Sequence, residues 1–215
     1  MLTASALVAS NMGFKLNYSL VKIGTAVDVG VSKSGQSTLA LPDNRQTGLN
    51  SASALMTDVG FASVSDIRRW VRSADGFTQI YTGRIGTGAD FPLASGEGYI
   101  VHVKTSVNYI AVGSDDPALA TSLVKIGGAV DVGTSKSGQS LFAYNYHQTA
   151  ATASALMTDV GFASVSDIRR WVRSADGMTQ IYTGRIGSGA DFALTPGEAY
   201  IIHVKTSVNY TPSHY

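Results

Sequence analysis

Val27, Val29 and Val31 alternate with Asp28 and Gly30, the period of two that marks a half-buried β-strand. Ser32 to Gln36 reads as a turn, and Ser37 to Leu41 as a second strand closed by Pro42. The period then changes. Ala52, Leu55, Met56 and Val59 fall three and four residues apart, an apolar stripe along one helix face. Asn50 or Ser51 can cap that helix, and Gly60 stands where a helix-ending glycine belongs. Beyond it, Ile67 to Arg72 and Phe77 to Arg84 are β-rich and flank Ser73-Ala-Asp-Gly76. Asp-Gly in that setting predicts a two-residue hairpin loop, because both positions tolerate positive φ. The implied register sets Ala74 against Phe77, Arg72 against Gln79 and Trp70 against Tyr81, with Val71 and Ile80 paired on the other face. A helix from Ser65 or Asp66 is the competing reading of 67–72. After Phe91-Pro-Leu93 and a Gly-Glu-Gly turn, Tyr99 to Tyr109 makes one long β-rich stretch.

The whole pattern occurs twice. Ser19 to Gly24 returns as Ser122 to Gly127, and Ser51 to Tyr109 returns as Thr152 to Tyr210. Within the second window the copies differ only at Ser51/Thr152, Phe77/Met178, Thr87/Ser188, Pro92/Ala193, Ala94/Thr195, Ser95/Pro196, Gly98/Ala199 and Val101/Ile202. Repeats of about 100 residues are each long enough to fold alone. The prediction is a mainly β fold with one short helix per repeat, arranged as two tandem β-sandwich or barrel-like domains. Residues 1–18 read as an N-terminal arm, 19–114 as the first module and 115–215 as the second. The seam around Val112 to Thr121 has the Gly, Asp and Pro content of a linker. The copies diverge most where Thr38 to Asn50 becomes the shorter Leu141 to Ala151. The loops at Asp43, Asn44 and Arg45 and at Tyr144, Tyr146 and His147 are therefore candidates for module-specific binding, or surface loops that tolerate change.

Composition narrows the chemistry. Hydrophobic residues make up 44% of the 215, enough for packed cores, and charged residues only 14%. Sixteen Lys and Arg against fifteen Asp and Glu leave a net charge of +1, which argues against a duplex nucleic-acid binder. There is no cysteine, so disulfide frameworks and cysteine-based zinc, iron–sulfur and thiol chemistry are excluded. No apolar run approaches the ~20 residues of a membrane-spanning helix. The first dozen residues lack the basic start and strong apolar core of a signal peptide, so the arm is expected to persist, with Leu2, Leu7, Val8, Met12 and Phe14 available for docking on a neighbour or on its own domain.

Catalytic patterns are weak. His102 and His203 are one position seen twice, read as buried structural histidines with no acidic partner at metal-ligand spacing. Glu97 and Glu198 lie in Gly-containing turns, where carboxylates accept backbone amides. Gly30 to Ser37 has the glycine spacing of a phosphate loop, but Gln36 replaces the lysine. No catalytic residue, cofactor or metal is expected. The rows Arg68, Trp70, Arg72 and Arg169, Trp171, Arg173, with Tyr81 and Tyr182 across their hairpins, are the better candidates. An Arg–aromatic–Arg stack supports cation–π packing and suits a protein neighbour or a sugar ring. Alternatively, Trp70 packs in the core and the arginines reach outward to Asp66 or Asp75.

Gly35 to Pro42, the short helix, Ile67 to Trp70, Gln79-Ile-Tyr81 and Phe91 to Val103 together resemble a module of bacterial and archaeal cell-surface proteins. Such modules carry a Gly-x-Asn-Leu-x-Ser-Leu-Pro strand and a closing Pro-Gly-x-Gly-Tyr-x-Val turn. The second repeat keeps Thr195 to Val204 but has Ala143-Tyr144 in place of the Leu-Pro end. The resemblance implies a non-catalytic surface or adhesion module and supplies no catalytic residues. Two expectations stand: the weak export signal, the apolar arm, low charge, absent cysteine and the duplication point to a homo-oligomeric structural protein decorating a larger assembly such as a virus capsid or tail, whereas the resemblance points to a carbohydrate-binding or adhesion module outside the cell. Neither needs nucleic acid or membrane insertion.

Overall fold

In the computed structural model, residues 14–23, 35–74, 76–84, 88–126, 138–175, 177–185 and 189–214 are described. The first repeat contributes β1 (Phe14–Leu20), β2 (Gln36–Ala40), β3 (Asn44–Arg45), α1 (Ala52–Val59), β4 (Val64–Val71), β5 (Gly76–Tyr81), β6 (Gly98–Val103) and β7 (Val107–Ser114). The second contributes β8 (Thr121–Leu123), β9 (Gln139–Ala143), α2 (Ala153–Val160), β10 (Val165–Val172), β11 (Gly177–Tyr182), β12 (Ala199–Val204) and β13 (Val208–Tyr210). The strands pair antiparallel in four sheets: β2-β6-β4-β5 and β1-β7-β3, then β9-β12-β10-β11 and β13-β8. The fold is mainly β with one short helix per repeat, as the pattern predicts. Among the described residues the sheets stay open, and none closes into a barrel.

Each repeat has its own core. In the first, Leu16, Tyr18 and Leu20 of β1, the stripe of α1, Ile67 of β4, and Tyr99, Val101 and Val103 of β6 form one buried cluster. The second builds the same cluster around Leu156, Met157, Ile168 and Tyr200. The helix forms where its spacing predicts. Ser51 accepts the Ala54 amide at 3.2 Å, and Gly60, at φ 118°, returns its amide to Met56.

Two expectations are corrected. The expected arm is shorter than 18 residues, because β1 pairs along its whole length with β7 and buries Leu16 and Tyr18 in the first core. Leu2, Leu7, Val8 and Met12, and the strand expected over 27–31, lie outside the described residues. The hairpin register also differs. Ile67 faces Tyr81, Arg68 faces Ile80, Arg69 faces Gln79, and a bulge follows before Val71 meets Gly76. Arg72–Ala74 form a 3-10 turn in place of continued strand. The register is thus offset by three residues, an odd number, which puts Tyr81 on the core face. Tyr81 packs against the first core, and Tyr182 repeats this in the second. Arg72 and Arg173 fall in the turns and leave their rows. The cause is tertiary: Trp70 packs edge-on against Phe77, with ring centroids 5.0 Å apart, and reaches into the other repeat.

The larger sheets of the two repeats pack back to back. β6 is buried along its whole length. Tyr99, Val101 and Val103 face their own helix, so Gly98, Ile100 and His102 face the other repeat. Ala40, Leu141, Ala143, Ala199 and Ile201 form a third buried cluster there, with Trp70, Phe77 and Met178 against it. The bonds across it are reciprocal: Ala40 donates its amide to Gly197 O at 2.8 Å, and Ala143 donates its own to Gly96 O at 3.1 Å. Each repeat thereby covers the edge strand of the other, removing a site for unwanted pairing.

Candidate functional site

On β4 the alternate residues Asp66, Arg68 and Trp70 project toward the second repeat. Asp66 and His102 are fully buried, and the His102 Nδ1 lies 2.8 Å from Asp66 Oδ2. Arg68 donates its Nε to the other carboxylate oxygen. The second repeat reproduces the triad with Asp167, His203 and Arg169. Burial alone would raise the Asp66 and Asp167 carboxyls, but the histidine and arginine hydrogen bonds outweigh it and hold both below the ordinary range. Arg68 does pair with Asp66, but both are buried, so this arginine turns inward instead of reaching outward as expected. His102 does have an acidic partner, across a strand pair and 36 residues away.

The indoles cross the interface. Trp70 Nε1 donates to Gln139 O at 2.9 Å, and Trp171 Nε1 donates to Gln36 O at 3.1 Å. Between them opens a cleft of about 320 Å³ whose lining includes Arg68, Trp70, Gln36 and their copies Arg169, Trp171 and Gln139. Phe77 and Met178 line it too, one from each repeat. The structure thus joins two expected rows into one site, without Arg72, Arg173, Tyr81 and Tyr182.

Arg69 and Glu97 were not expected to meet. They form a two-pronged pair, Nε to Oε2 at 2.8 Å and Nη2 to Oε1 at 2.9 Å, which Arg170 and Glu198 repeat. Glu97 is held by a guanidinium in place of backbone amides. The Glu97 hydrogen bond raises the Arg69 guanidinium. The signal was available in strand parity: Arg69 must face opposite to Arg68.

The divergent loops meet at the seam. Asp43 Oδ1 accepts the Asn145 Nδ2 at 2.8 Å, and its Oδ2 accepts the Asp116 amide. His214 Nδ1 sits 2.9 Å from Asp115 Oδ2, near enough for an ion pair but not aligned as a hydrogen bond. Burial first, and then the neighbouring Asp115 charge, push the Asp43 carboxyl up to about 7 against the opposing pull of the Asp116 amide. Arg45 donates to Leu49 O and Leu93 O, and Tyr144 is buried and donates to Ala150 O. Of the expected loop candidates, Asn44 and Tyr146 are exposed and His147 is half-buried at φ 72°. The divergence of these loops joins the repeats.

A second surface stands out on the smaller sheet of the first repeat. Lys15, Asn17 and Ser19 of β1 pair with Val112, Ile110 and Asn108 of β7, and all six are exposed. Ile110 is 51% and Val112 40% exposed. The corresponding residues of the second repeat are Thr211 and Ser213. Among the described residues, no three His, Asp or Glu side chains group as metal ligands, and no helix is long and apolar enough to cross a membrane. Comparisons with protein-family models, curated proteins and solved structures give no match to this chain.

Proposed function

We propose that this protein is a non-enzymatic structural component that attaches to and decorates a larger assembly, the surface of a virus particle, through the outer face of the β1–β7 sheet. The supporting observation is an asymmetry between near-identical copies. Immediately after the matched window, Ile110 and Val112 are apolar and exposed where the second repeat has Thr211 and Ser213. Two aliphatic side chains on the exposed face of a sheet gain by being covered. The polar counterparts mean that the duplicated fold does not itself require them. β1 is also continuous in sequence with residues 1–13, which carry the apolar Leu2, Leu7, Val8 and Met12. Low charge, the lack of cysteine and the duplication suit a lattice component, since a two-domain subunit can occupy two similar positions.

Replacing Ile110 and Val112 together by serine tests this. Light scattering and co-sedimentation with particles should show lost self-association or lost attachment, with the melting temperature nearly unchanged. Undiminished association and attachment in a folded double variant would refute the reading.

A further inference from the structure

The cleft between the repeats presents donors without acceptors. Gln36 and Gln139 are each 2% exposed, and their Nε2 amides have no hydrogen-bond partner. The Nη2 atoms of Arg68 and Arg169 are likewise buried and unpartnered, although their Nε atoms hold Asp66 and Asp167. All four side chains line the cavity of about 320 Å³. A buried donor left unpaired costs about 1–3 kcal/mol, and native proteins keep few of them. Four on one cavity, placed in pairs by the internal symmetry, make a pattern.

The carboxylates and main-chain carbonyls on the cleft wall are already engaged. Asp66 and Asp167 are taken by histidine and arginine, and the Gln36 and Gln139 carbonyls by the indoles of the opposite repeat. What the walls ask for is an acceptor-rich group. Around these donors the lining is aromatic and apolar, with two indoles, Phe77 and Met178. A cavity of this size lies at the small end of ligand sites, room for a single ring and its substituents.

We propose that the cleft binds an acidic sugar, a pyranose bearing a carboxylate. The carboxylate accepts from guanidinium and amide N–H groups, the strong charge-assisted arrangement. The ring oxygens take the donors that remain, and the C–H face of the ring lies against the aromatic side chains. Phe77 and Met178 are among the few differences between the repeats, so the two ends of the cleft are unequal and favour one orientation of the ligand. This site is separate from the outer sheet proposed for attachment. Loss of attachment with sugar binding intact, or the reverse, tells the failure of one proposal from that of the other.

The test is calorimetric titration of the full chain with D-glucuronate, D-glucose and acetate at matched ionic strength. Glucuronate is expected to bind at least tenfold tighter than either of the others. Both tryptophans of the chain, Trp70 and Trp171, line the cleft, so the intrinsic fluorescence of the unmodified protein should change along the same isotherm. Replacing Gln36 and Gln139 together by leucine should weaken glucuronate at least tenfold without lowering the melting temperature of the free protein. Equal affinity for acetate and glucuronate, equal affinity for glucose and glucuronate, no binding, or no fluorescence response would each overturn the proposal. So would undiminished binding by a folded double variant.

Discussion

Gly98 and Ala199 hold the same position in the two repeats and face each other across the interface. A methyl built on Gly98 would lie 2.2 Å from Ala199 Cβ and 3.0 Å from Leu141 Cγ, so only one of the two can carry it. Gly98→Ala should therefore cost about 1–3 kcal/mol, the usual range for overpacking a filled core. Thermal or denaturant unfolding checks this, and an unchanged midpoint would mean that the sheets are not pressed together there. Asp43 sets a pH dependence of definite sign. Its carboxyl is raised in the folded protein, so the folded state holds a proton that the unfolded chain has released. The stabilisation is complete below the ordinary aspartate range and is lost as pH rises through about 7. Asp66 and Asp167, held low, act the other way, and their contribution is lost only as pH falls below the ordinary range. Asp43→Asn, a neutral mimic of the protonated acid, should raise the melting temperature more at pH 7.5 than at pH 5. Equal destabilisation at both values would contradict this role.

Elements were legible in proportion to how local their causes are. The helix was visible because Ala52, Leu55, Met56 and Val59 declare a face and Ser51 and Gly60 close its ends. The hairpin was visible as two strands, but its register was not. Asp75-Gly76 is a strong turn signal, yet the packing of Trp70 on Phe77 and its bond to Gln139 lie beyond local sequence. The same limit hid the triad, since Asp66 and His102 become neighbours only once β4 is laid against β6. One clue was present. Tyr99 to Val103 is almost continuously apolar, the pattern of a strand covered on both faces. Such a strand requires a second layer beyond its own helix, and the other repeat supplies it.

At the scale of the molecule, the two repeats act as the halves of an internal dimer. Reciprocal bonds from Trp70 to Gln139 and from Trp171 to Gln36 are what a two-fold, self-complementary interface produces. Duplication within one chain then allowed the halves to diverge. Gly98 lies against Leu141, while Ala199 donates its amide to the Thr38 hydroxyl, so the small and large residues are distributed to fit unlike halves. Asp43 to Asn145 adds a contact that exists only between one repeat and the other. With the large sheets covered in this way, the first repeat's outer sheet and the mouth of the cleft stay open to solvent. The most direct test is to produce residues 13–114 and 115–215 separately and weigh their equimolar mixture by native mass spectrometry. A one-to-one complex should dominate over either homodimer, because two copies of the second half would bring two Ala199 methyls together. Two species that stay monomeric on mixing, each with an unchanged unfolding transition, would contradict the internal dimer.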